Sequence, residues 1–186
     1  MNTGQTMMVI AAFALLSMLT LAVNSTMIMT STLGLETQTN LNALSIAQSM
    51  LDEIQTQEYD EYTTNSQRAF QFSSLTTAAS FGPDAGETFA GIDKDSTGNF
   101  KSKRFFDDVD DYHLYHRQAY DARLGWFDVV DTVQYVQNLN PDAVSLTQTW
   151  HKRIIVTVTH YAMNKKLDGT IIPLQLYDCS VYRKYF

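Results

Sequence analysis

Apolar and polar positions follow three regimes along the chain. Residues 7–23, MMVIAAFALLSMLTLAV, carry no charged side chain and would place apolar groups on every face of a helix. From about residue 41 the apolar positions become periodic. Leu41, Leu44, Ala47, Leu51 and Ile54 form one set, and Ala43, Ile46, Met50 and Ile54 another, with polar or acidic residues between them. Spacings of i, i+3, i+4 and i+7 mark an amphipathic helix. No proline precedes Pro83, and Gly34, the strong breaker inside this span, costs only about 1 kcal/mol. The pattern predicts one nearly continuous helix over about residues 6–61, roughly 84 Å long at ~1.5 Å per residue. A domain of this size cannot enclose such a rod, so its first half must protrude. The expected division is 1–35 as an apolar half-helix for a membrane or filament core, 36–61 as an amphipathic half-helix on a head, and 62–186 as the head itself.

The third regime begins after residue 62. TTNSQ, SSLTTAAS, FGPDAGE and KDSTGNF are turn and loop compositions. Further on, GWFDVVDTVQYVQ (125–137), HKRIIVTVTHY (151–161) and TIIPLQLYDCSVYRKY (170–185) alternate with a period of two and are rich in Val, Ile, Thr and Tyr. These predict half-buried strands, the last two joined by a hairpin turning at Asp168-Gly169. The expected fold is α+β. A long N-terminal helix packs by Leu44, Ala47, Leu51 and Ile54 on a small antiparallel sheet of three or four strands.

Charge changes the picture in two ways. The net charge of −7 excludes a basic stripe for nucleic acid. Residues 1–67 hold six acids and no Lys or Arg, so the apolar start lacks the basic flank of a secretory signal and the Lys/Arg bias that orients a simple membrane tether. Cys179 is the single cysteine, so no intrachain disulfide framework exists.

Catalytic patterns are absent: no G-x-S-x-G, P-loop, H-E-x-x-H or C-x-x-C occurs, and no enzyme is expected. His113 and His116 read as polar positions in a Tyr-rich loop. Asp107, Asp108, Asp110 and Asp111 read as a solvated turn. One stretch has partial calcium-loop spacing: Asp93, Asp95, Thr97, Gly98 and Asn99 match D-x-D-x-[ST]-G. The twelfth position, where a bidentate Glu belongs, is Arg104. Calcium is the one cofactor this admits, with an ordinary Asp/Gly turn as the alternative.

Three segments resemble the type IV pilin superfamily, which includes the pseudopilins of type II secretion. ALSIAQSMLDEIQTQEYDE (43–61) is similar to the "A..lAQsllEEi.s..yDe" segment of prepilin-like proteins. FFDDVDDYHLYH (105–116) resembles their "FdDVDDY.gy" stretch, and KRIIVTVTH (152–160) their "yKrvtVtVs" strand. With an apolar helix beginning just after Gly4, these occur in the expected order over most of the chain. The resemblance implies a structural subunit of an extracellular type IV pilus-like filament, or a minor pseudopilin or membrane-tethered accessory of a secretion or pilus machine. It implies polymerisation with other copies of the chain through Met7, Ile10, Phe13, Leu16, Leu19 and Val23, and residence in the inner membrane before assembly at the cell surface. It also implies an assembly ATPase, an inner-membrane platform protein and a prepilin peptidase as partners. Cleavage after Gly4 would leave Gln5 first and Val9 fifth, where pilins usually carry Glu. The usual C-terminal disulfide has no second cysteine. The expectation is a leader left uncut, or cut so briefly that the apolar helix stays intact.

Overall fold

A computed structural model describes residues 2–88, 93–94 and 98–183. Thr3–Gln55 form a single helix of 53 residues, α1, about 80 Å long. It ends six residues before the sequence pattern suggests. The Thr56 N–H and hydroxyl both close on the Glu53 carbonyl (3.2 and 2.7 Å). The chain then leaves the helix to pair by backbone with the acidic run: Glu58 N–H donates to Asp107 O and Val109 N–H to Glu58 O, each at 3.0 Å. Asp60 next caps a 3-10 turn over Glu61–Ser66, accepting from Tyr62 N–H at 3.2 Å while its own N–H donates to the Thr63 hydroxyl. Tertiary pairing outweighs the helical propensity of the last turn.

The head is loop-rich up to a short helix α2 (Ser102–Phe105), then strands β1 (His116–Asp121), β2 (Gly125–Gln137), β3 (Asn140–Val144), β4 (His151–Thr159) and β5 (Leu174–Val181) follow. All pair antiparallel in the order β1-β2-β4-β5, with β3 on the far end of β2. The class is α+β, as expected. The sheet has five strands rather than three or four. HRQAYD and NPDAV carry too few β-branched residues to announce β1 and β3. The connection from β4 to β5 turns at Gly169 (φ 83°), with Lys166 N–H donating to Thr170 O at 2.8 Å.

One face of the sheet packs on the second half of α1. Phe127, Val129 and Val133 of β2 and Ile154, Val156 and Val158 of β4 are buried against Ala43, Ala47, Met50, Leu51 and Ile54. The small side chains at 43 and 47 let the helix axis approach the sheet. Of the four docking positions expected, Ala47, Leu51 and Ile54 are buried. Leu44 is not: it is 39% exposed and lines an open groove on the outer flank of α1 with Leu41, Gln48 and Lys103. The docked stripe runs through Ala43 instead, because a leucine there would hold the helix off the strands.

A buried ion pair ties α1 to the head beside this docked stripe. Glu53 on α1 accepts from Arg117 of β1 (2.8 Å), from the Ser102 hydroxyl (2.8 Å) and from the Tyr112 hydroxyl (3.2 Å). The acidic run also departs from its expected solvation: Asp108, Asp110 and Asp111 are buried. Asp111 accepts the backbone N–H groups of Asp107 and Asp108 (3.1 and 3.2 Å), and Asp108 accepts that of Asp111 (3.1 Å). Local amides replace the water these carboxylates would otherwise need. Burial and the neighbouring carboxylates push Asp108 up to about 9.

Candidate assembly surface

Every residue from 7 to 35 of α1 is exposed. Met7, Ile10, Phe13, Leu16, Leu19 and Val23 are each more than half exposed, and no element of the head reaches them. The segment is about 43 Å long and the helix is apolar and long enough to cross a membrane. A rod that is apolar all round must be covered by lipid or by protein.

Its polar side chains are arranged for that cover. Ser17, Thr20, Thr26, Thr30 and Thr32 each donate their hydroxyl to the carbonyl four residues back, at 2.8–2.9 Å. Five of the seven hydroxyls between residues 7 and 35 are thus satisfied within the helix, Ser25 and Ser31 being the other two. Asn24 carries the segment's one side-chain amide. Its amide has no hydrogen-bond partner among the described residues, and it sits between Thr20, Leu21 and Met27. Ala11, Ala12, Ala14 and Ala22 leave notches between the large side chains, the arrangement that lets helices approach closely. Gly4 and Gln5 lie within the first turns of the same helix and are exposed, so a peptidase reaching the N-terminus would meet helical backbone.

Among the described residues, the remaining sequence candidates are not brought together at one point. Asp95 and Thr97 lie outside the described residues. Asp93 accepts from the Lys101 N–H at 3.2 Å and from the Tyr115 hydroxyl, and it shares a pocket with Lys94 and Arg117, whose charges oppose a cation. Asn99 is exposed. His113 and His116 do not converge: His113 Nδ1 accepts the Val133 N–H (3.2 Å), with burial lowering its pKa, while His116 faces Asp128 at 3.4 Å. Carboxylates of Glu61, Glu87 and Asp107 lie within 4.8 Å of one another at the surface, a grouping that separated sequence positions could not reveal.

Sequence reasoning missed two charged clusters inside the head, Glu53–Arg117 and Lys152 with Asp60 and Asp110. A signal existed. Lys152 is in phase with Ile154, Val156 and Val158, and Asp131 with Phe127, Val129 and Val133, so strand alternation alone turns both inward. No family model, no curated protein and no solved structure matches this chain.

Proposed function

We propose that this chain is a structural subunit of an extracellular, type IV pilus-like filament that polymerises through α1. The observation that carries this reading is the division of one unbroken helix. Its second half is locked to a folded head and its first half is apolar, exposed and internally hydrogen-bonded. In this reading the inner membrane covers residues 7–35 before assembly, and copies of the same helix cover them afterwards. An assembly ATPase and a membrane platform protein would drive the transfer.

The energetics differ for the two starting points. Burial from water contributes roughly 1.5–3 kcal/mol per large side chain, but lipid is already as apolar as leucine. Transfer from membrane to filament therefore depends on close packing at the alanine notches and on hydrogen bonds such as one to Asn24. The missing Glu near the N-terminus is consistent with a core held this way.

Charge substitution tests the reading. An Asp at the centre of such a helix costs about 2.5–3.5 kcal/mol in lipid, and every subunit of a filament would repeat that cost. Phe13→Asp and Leu16→Asp should each abolish filaments in negative-stain images while the head keeps its circular dichroism. Filaments that persist in both variants would assign polymerisation to the heads and reduce residues 7–35 to a tether. That outcome would favour a membrane-tethered accessory protein.

A further inference from the structure

Lys152 has no access to solvent at all, and neither does Asp60; Asp110 is 2% exposed. The three meet beneath the sheet. Lys152 Nζ donates to Asp60 Oδ2 at 2.8 Å, to the Tyr59 carbonyl at 2.7 Å, and to Asp110 Oδ1. The rings of Tyr59, Phe81 and Tyr135 lie 4.6, 5.2 and 5.5 Å from the nitrogen. The two carboxylates are unlike. Asp60 is saturated, accepting from the backbone N–H groups of Tyr62 and Thr76 (3.2 and 3.1 Å) and the Thr76 hydroxyl (3.3 Å), with the Tyr135 hydroxyl 3.2 Å away. Asp110 Oδ2 is buried with no hydrogen-bond partner among the described residues.

We propose that Lys152 and Asp110 condense into an intramolecular isopeptide bond, with Asp60 carrying the proton between the amine and the leaving oxygen. A nitrogen in contact with Oδ1 is at most one C–O bond farther from Cγ, close to the near-attack separation of about 3–3.5 Å. Transfer of one proton across the Lys152–Asp110 contact gives the amine and the carboxylic acid that condensation needs. Burial pushes Asp110 up to about 6 against the pull of the Lys152 ammonium.

The step balances without a co-reactant. The neutral amine adds to Cγ of the protonated Asp110. The Asp60 carboxylate takes one proton from nitrogen and returns it to the departing hydroxyl. One C–N bond forms, one C–O bond breaks, one water leaves, and Asp60 is again a carboxylate. Oδ1 stays as the amide oxygen, and the oxygen without a partner is the one lost. The reaction removes a buried opposite-charge pair, which is costly to keep desolvated, and Asp60 retains its backbone and hydroxyl donors. The product ties the loop after α2 to the central strand β4. The inference stands on the head's interior alone, so its outcome leaves the filament reading untouched.

Tandem mass spectrometry of a tryptic digest of the full-length protein tests it. The expected species joins peptide 105–117 to peptide 124–153, with a mass one water below their sum, no cleavage after Lys152, and fragments placing the link at Lys152 and Asp110. It should vanish in Asp110→Ala, and Asp60→Asn should leave a large unlinked fraction. Cleavage after Lys152 in the unfolded wild-type protein, with both peptides at their full masses, would overturn the proposal. A link from Lys152 to Asp60 would overturn the assignment of roles, and a water loss persisting in Asp110→Ala would trace it to another site.

Discussion

Replacing Arg117 by Met should loosen the docking of α1 on the head by a predictable amount. Arg117 is 5% exposed and its guanidinium is 2.8 Å from Glu53, itself 6% exposed. Methionine keeps most of the volume and removes the charge. The Glu53 carboxylate is then left in the core with two hydroxyl donors and with Lys103 at 3.9 Å on an exposed stem. Breaking a buried pair from one side costs about 3–5 kcal/mol. At roughly 2–8 °C per kcal/mol, depending on domain size, that lowers the melting temperature by on the order of 10–20 °C. The assay is thermal unfolding of the full chain in detergent, followed by the near-ultraviolet signal of the head's aromatic residues. The double variant Arg117→Met/Glu53→Gln removes both charges while keeping an acceptor for Ser102 and Tyr112, and should recover at least half of the loss. That is a recovery of about 2 kcal/mol, a non-additivity expected only of residues in contact. A single variant costing under 1 kcal/mol, or a double variant no better than the single, would refute the idea that this pair locks helix to head.

Asp131 is buried with both oxygens unpaired among the described residues, and burial pushes it from 3.8 up to about 8. The folded state holds this proton more tightly than the unfolded state. The contribution of Asp131 to stability should therefore fall between about pH 4, where the unfolded carboxyl ionises, and about pH 8, by roughly 1.4 kcal/mol per unit, and level off above. Asp131→Asn removes that slope, so its melting temperature relative to wild type should climb as pH rises from 4 to 8; a constant difference would contradict the assignment. Asn24→Leu removes the one side-chain amide of the apolar segment without a partner. It should leave the head's melting temperature unchanged and give filaments of poorer helical order in averaged images, since a buried Asn specifies register; unchanged order would mean that Asn24 faces nothing polar.

The long helix and the three strongest strands were legible because their periods are unambiguous: 3.6 in the docked half of α1, two in β2 and β4. What escaped had a physical cause in each case. Two apolar sets overlap along residues 41–54, and hydrophobicity alone favours the one containing Leu44. Only the closeness of the sheet selects Ala43. The run DDVDD looks solvated in one dimension, yet three of its carboxylates fold onto local amides or onto Lys152. Lys152 is by composition one more polar residue at the start of a half-buried strand, although its phase in β4 points it inward. The exposed apolar surface was the most legible feature, since no head of this size could cover residues 7–35.

A helical reconstruction of the filament, at a resolution that separates helices, tests the central claim most directly. The account predicts residues 7–35 of α1 packed around the axis, with Phe13 and Leu16 against neighbouring helices and the strands of every head on the outside. A polymer whose axis is lined by heads, with residues 7–35 left in lipid or detergent at its edge, would contradict it.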